Sequence, residues 1–386
     1  MTDHYEDTDD SRDRVLPNAK VMGFIARFWL RRRGLLAGTI AFSLLAIGFD
    51  LATPWAAGRL VDALAAGPGA AGGVWAAWAV FLAVYLGFSL SWNTAPRFWI
   101  PLAARNMAEM TDEGFAKVQS FSADWHADTF AGSTVRRLSR AMWGYDVVSD
   151  AVVMWLTPAF LVLIGLSVMM FVRWPMVGLF SAGIVVLYVA SNLLLTARYA
   201  RPLNLKSVAF DSRIGGALAD SITSNPTVRS FGAEDRESAR IGGVTQAWSL
   251  AAARTWTAFT NVWLVQNLIL VGLQAGLTGL VIRLWARGAA STGDVAFAIT
   301  SFMLMSGYLR NIGDQIRMTQ KGLDDVEDAA RYAGMAPQVA DLSGAPALIG
   351  QLGEIVFDRV TFGYKAAEAP LYRDFSLTIA PGKKVA

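Results

Sequence analysis

The residues that could do chemistry in this chain are few, and most of them interrupt apolar runs. Asn192, Gln266, Asn267 and Gln274 do so, as do Asp50, Asn93, Arg310 and Asp314. Asn267 and Gln274 are seven apart and so share one helix face, with Gln266 beside them. Polar groups at membrane depth are costly in lipid and are expected to face the helix bundle or a wet cavity. Singly, each reads as an interhelical hydrogen-bonding residue; as a group, they read as a substrate cavity. Asp50 is the most costly of them, and a salt bridge or a place near the outer interface would relieve it. Arg310 and Asp314 stand at i, i+4 and are expected to pair. There is no cysteine, hence no disulfide, thiolate metal site or cysteine nucleophile. The two histidines, His4 and His126, are too few and too far apart for a metal site. The chemistry on offer is binding.

The elements that must position these residues are long and apolar. Mean hydropathy is +0.38 and 17% of residues are charged, outside the range of an average soluble protein. Six apolar segments stand near Leu35–Trp55, Val74–Trp92, Ala151–Val172, Met176–Ala197, Val262–Trp285 and Val295–Ile316. Each approaches the ~20 residues that cross a hydrocarbon core. The last is the weakest, because Arg310, Asn311 and Asp314 fall at its inner end. Pro54 and Pro158 are tolerable within membrane helices.

Ahead of the first segment, residues 1–17 are acidic and polar, with no apolar core of a cleavable signal, and are expected to be a disordered cytoplasmic tail. Residues 18–33 place Val21, Phe24, Ile25 and Phe28 at helical spacing, ahead of Arg31, Arg32 and Arg33. That pattern predicts an interfacial elbow helix on the cytoplasmic leaflet. Lys and Arg crowd the start, the link between spans two and three, and the link between spans four and five. The opposite side carries only Arg59, Arg173, Arg283 and Arg287, so both termini are expected in the cytoplasm. The outer links are short, whereas both inner links run to about fifty residues with helical patterning. Helices that continue past the bilayer and return would hold a turn where a soluble motor could push.

From Glu354 the pattern changes to alternation. Ile355 and Phe357 share a face, as do Phe375, Leu377 and Ile379, and Pro381-Gly382 makes a turn. Ile355, Phe357, Val360, Phe362 and Tyr364, then Leu371, Phe375, Ser376, Leu377, Ile379, Gly382, Val385 and Ala386, resemble the first strands of the nucleotide-binding domain of ATP-binding cassette (ABC) transporters of the exporter type. Further motifs resemble the same family. They are Pro54-x-x-x-Gly58-x-x-Val61-Asp62, Phe121–Arg140 with a short helix near Ala123–Phe130, Asn225–Glu237 (NPTVRSFGAEDRE), and Thr292-Gly293-Asp294.

The resemblance implies an all-α membrane domain over residues 34–335. It would have six transmembrane helices with long cytoplasmic extensions, a linker at 336–353 and the β start of an ATPase domain at 354–386. It implies that Tyr364 stacks on the adenine of ATP, and that Trp125, His126 and Phe130 form one coupling element and Asn225 and Arg229 another. The partner would be a second half-transporter, identical or homologous, in a bacterial inner membrane. The cargo would be a small hydrophobic or amphipathic compound; lipid or drug export is the expectation, with no nucleic acid involved. ATP and Mg²⁺ would serve the full-length protein, but the phosphate-binding loop does not occur in these 386 residues, so this stretch alone is expected not to hydrolyse ATP. A non-transporting regulatory or channel-like subunit is the alternative. An ion-coupled secondary transporter is a weaker one, since no internal repeat is evident.

Overall fold

A computed structural model describes residues 16–129, 131–337, 344–346, 353–363 and 369–385. The chain divides into two units, Met1–Ala336 and Pro337–Ala386. The first unit is helical: α1 (Asn18–Arg31), α2 (Arg33–Ala65), α3 (Ala71–Gln119), α4 (Ala123–Asp128), α5 (Ala131–Ser149), α6 (Thr157–Arg173), α7 (Pro175–Leu195), α8 (Arg201–Thr223), α9 (Asn225–Ser230), α10 (Glu234–Ala286) and α11 (Thr292–Gly334). A π-helical turn, Asp150–Leu156, joins α5 to α6, and a second, Thr196–Ala200, joins α7 to α8.

Six helical stretches are long and apolar enough to cross a membrane. Each meets its apolar segment at one end, and all but the first run far past it at the other. Helix α3 alone is 49 residues, about 74 Å at 1.5 Å per residue, against a hydrocarbon core of ~30 Å. The short links therefore gather at one end of the bundle and the extensions at the other. Pro54, Pro96 and Pro101 sit inside α2 and α3 without ending them. Pro175 instead starts α7, where its missing N–H costs nothing.

The main core joins α6, α7, α10 and α11. Leu270, Leu273, Leu277 and Val281 of α10, at three- and four-residue spacing, face Leu163, Leu166 and Met170 of α6 and Met305 and Leu309 of α11. A second core lies in the extensions, where Val21, Ile25 and Phe28 of α1 pack with Met110, Tyr145 and Val326. The apolar stripe of the elbow is thus buried on protein rather than left for the leaflet, each side chain contributing about 1.5–3 kcal/mol. Its basic edge pairs with α3: Arg27 and Glu113 are 2.9 Å apart, and Arg31 and Arg32 reach Glu113 and Glu109.

Helix α11 is approached closely at both ends through glycine. A Cβ at Gly58 would stand 2.7 Å from the carbonyl of Gly293, and a Cβ at Gly322 would stand 2.9 Å from that of Gly144. Small residues at these crossings let the backbones meet. By contrast, α8 and α9 bury no residue, and Ile222 and Phe231 are 73% and 78% exposed.

The second unit holds an antiparallel pair, β1 (Ile355–Phe362) and β2 (Tyr372–Ile379). Ile355 faces Ile379 and Phe357 faces Leu377, and two register shifts follow. Positive φ at Arg359 (48°) and Asp374 (54°) accompanies those shifts. The Arg359 N–H donates to Ser376 Oγ at 2.9 Å, so the bulge is tied by a side chain.

Candidate functional site

At the short-link end, two motifs far apart in sequence meet. Gly58 and Asp62 close α2, and Thr292-Gly293-Asp294 opens α11. Ser291 caps α11, accepting from the Asp294 N–H at 3.0 Å, while Asp294 accepts from the Ser291 N–H at 2.9 Å. Asp62 adds a second acceptor to the same terminus. Its carboxylate takes the Gly293 N–H at 2.6 Å, the Ser291 hydroxyl at 2.8 Å and the Thr292 hydroxyl at 3.3 Å. An anion beside the unpaired N–H groups of a 43-residue helix is well placed electrostatically. Arg173, at the end of α6, pairs with the buried Asp294 at 2.6 Å and stacks on Trp174. These contacts staple α2, α6 and α11 together.

Toward the extension end, three polar contacts join neighbouring elements. Asn192 of α7 is buried against Gly313 of α11, where even a Cβ would collide with its amide. Tyr199, in the second π turn, accepts from Asn261 of α10 at 3.1 Å. Arg317 of α11 lies over the Phe259 ring of α10, 5.1 Å from its centroid, and pairs with Asp314. The expected Arg310–Asp314 pair does not form. Both partners are within reach on a helix, but the Phe259 ring holds Arg317 beside Asp314 while Arg310 stays exposed. Arg310 is about 27 Å along α11 from Thr292, close to the far edge of the hydrocarbon core. The arrangement offers two guanidinium groups, a carboxylate, two amides and a phenol at the mouth of the bundle.

The other expected cavity residues are not part of that cluster. Gln266 is buried on α10 with its Nε2 lacking a hydrogen-bond partner, whereas Asn267 and Gln274 are exposed. No ion pair among the described residues includes Asp50; the Tyr308 hydroxyl donates to it at 2.7 Å. Tyr199, Asn261 and Arg317 were not singled out by sequence. Their one signal is that polar residues recur near the ends of the fourth, fifth and sixth apolar segments.

The two short helices, α4 and α9, sit at the far end of the extensions. Ser122 caps α4 by accepting the Trp125 N–H at 3.3 Å. The Trp125 ring packs on Phe121, 4.7 Å away, and on Tyr332 of α11, 5.9 Å away, while His126 is exposed beside it. Asn225 opens α9 and Arg229 faces Glu234 at 3.8 Å, all exposed. Phe130 and Tyr364 lie outside the described residues.

The model of the ABC transporter transmembrane region matches residues 36–309. The chain belongs to this family. Its architecture is that of the ABC exporter transmembrane domain, followed by a small two-stranded sheet. It is an integral membrane protein with six candidate spans. The ABC chain is 28% identical over 365 residues to the ATM1-type heavy metal exporter of Novosphingobium aromaticivorans, covering 92% of this chain and 59% of that protein. It is 26% identical over 270 residues to the mitochondrial iron-sulfur clusters transporter ATM1 of Gibberella zeae, covering 68% and 38%. Among solved structures, a bacterial Atm1-family ABC exporter with ATP bound matches with a TM-score of 0.70 at 24% identity, covering 90% of this chain and 61% of that one. The chain thus spans about three fifths, or less, of the proteins it matches.

ATP would be the cofactor of such a protein, and the residues in hand do not fit it. Among the described residues none forms a phosphate-cradling glycine loop at a helix start.

Proposed function

We propose that this chain is the translocation half of an ATP-driven exporter that carries a metal-containing, anionic complex. The observation that carries this reading is the set of polar residues Asn192, Tyr199, Asn261, Arg310 and Arg317, with Asp314 paired to Arg317, toward the extension end of the bundle. Guanidinium groups and amides recognise carboxylates and other anions, not hydrocarbon. The names of the relatives, heavy-metal and iron-sulfur exporters, point the same way and replace the expectation of a lipid or drug. The chain has no cysteine, and no group of three metal-binding side chains among the described residues offers a ligand set for a bare ion. The cargo would arrive with its own ligands.

The extension end faces the cytoplasm in this reading. Trp125 and His126 of α4, and Asn225 and Arg229 of α9, meet the ATPase domains, and Tyr364 stacks on adenine. Work as a pair of copies is supported by α8 and the end of α9, where exposed Leu205, Val208, Ile222 and Phe231 lie beyond the apolar spans and lipid cannot cover them. ATP-driven closure of the motor domains would push α4 and α9, and the staple at Asp62 would part or re-form as access switches.

The test is transport by the full-length protein in proteoliposomes. A metal complexed by an anionic peptide should stimulate ATPase and accumulate, and Arg317→Ala should raise its KM about tenfold, the worth of a charged hydrogen bond. Equal stimulation by the free metal ion, or by neutral lipophilic compounds alone, would refute the assignment.

A further inference from the structure

Asp50 and the space beside it have no part in the reading above. The first π turn and helices α2, α3, α6 and α11 surround an open-sided cavity of about 390 Å³. Its wall is aromatic. Phe88 stacks on Trp92 at 6.0 Å, Trp92 meets Trp155 edge-on at 6.2 Å, and Tyr308 completes the lining. Asp50, only 7% exposed, contributes the carboxylate. Met303, Gly307 and Asn311, all exposed, border the open side.

Its place within an apolar run makes this carboxylate unusual. Asp50 lies inside the first apolar segment, Leu35–Trp55, five residues from its outer end. An acid at that level is costly and is expected to serve a function with a partner. The Tyr308 hydroxyl satisfies one oxygen at 2.7 Å, and no ion pair among the described residues includes Asp50. The wall therefore presents an uncompensated acceptor surrounded by ring faces, which also attract positive charge. A hydrated divalent metal fits poorly, because one carboxylate and apolar rings cannot replace six or more oxygen ligands. A cation whose charge is shielded by carbon has no such shell to replace.

We propose that this cavity binds a lipophilic organic cation of the quaternary ammonium class, with Asp50 as counter-charge and Phe88, Trp92, Trp155 and Tyr308 as the cage. The site is distinct in sign and place from the cluster around Arg317, and it stands whether or not that cluster carries anions.

The test is equilibrium binding of radiolabelled benzyltrimethylammonium to the purified protein in nanodiscs, with neopentylbenzene as the neutral isostere. Saturable binding is expected, weakened at least tenfold by Asp50→Asn and about fivefold by Trp155→Ala, with no competition from the isostere. Absence of saturable binding, unchanged affinity in Asp50→Asn, or competition by the isostere equal to that of the cation would overturn the proposal. Trp155 is 43% exposed, so its truncation leaves the buried core intact. Should Asp50→Asn fail to fold, unchanged affinity in Trp155→Ala overturns the proposal by itself.

Discussion

Removing the Asp62 carboxylate should release α2 from α11 at the short-link end. In Asp62→Ala three donors lose their acceptor: the Ser291 and Thr292 hydroxyls and the Gly293 N–H. Asp62 is exposed, so the space it vacates admits water to the two hydroxyls and to the N–H of the buried Gly293, and little desolvation penalty is left behind. What is lost is a capping interaction of ~1 kcal/mol and the attraction of a carboxylate to a helix N-terminus, ~0.5 kcal/mol. Together, about 1.5 kcal/mol shifts an open–closed equilibrium at this end roughly tenfold. Asp62→Asn keeps one acceptor oxygen and should move it only about threefold. The absence of cysteine makes the measurement clean, since spin labels on Ala63→Cys and Ala289→Cys have no background. Double electron–electron resonance should show a longer-distance population growing in the order wild type, Asn, Ala. A distance distribution identical in wild type and Asp62→Ala would refute the idea that this contact holds the end closed.

Gly322→Leu should force α5 and α11 apart, because its Cβ already meets Val148 Cγ2 at 2.6 Å; a loss of about 1–3 kcal/mol should appear as a lowered melting temperature. Trp125→Ala should detach α4 from Phe121 and Tyr332, at ~1 kcal/mol per aromatic contact, and abolish cargo stimulation of ATPase in the full-length protein while Trp125→Phe keeps it. Hydrogen bonds from Arg32 and Arg31 hold the Glu109 carboxyl, on the extension of α3 beyond its apolar stretch, below the usual range. A depressed carboxylate pKa stabilises the folded state above the unfolded value of ~4.3 and loses that effect as pH falls through the folded value. Amide protection of α1, corrected for intrinsic exchange, should therefore be constant from neutral pH to about 5 and decline below ~4.

The sequence by itself determined whatever is local. Apolar runs long enough to cross a bilayer set the six spans, and three- and four-residue spacing set the buried stripe Val21, Ile25, Phe28. Long, helix-patterned links between spans two and three and between four and five gave the extensions. Tertiary structure decided everything that depends on how each helix is rotated about its axis. Asp62 and Gly293 are 231 residues apart, and nothing in either stretch names the other. Asp314 could reach Arg310 or Arg317 with similar ease, and a ring on a different helix, Phe259, made the choice. Asn192 found Gly313 because only a glycine there leaves room for its amide. Periodicity fixes which face of a helix is apolar. Which polar residue of one helix meets which of another follows from crossing and close approach, and these exist only once the bundle is packed.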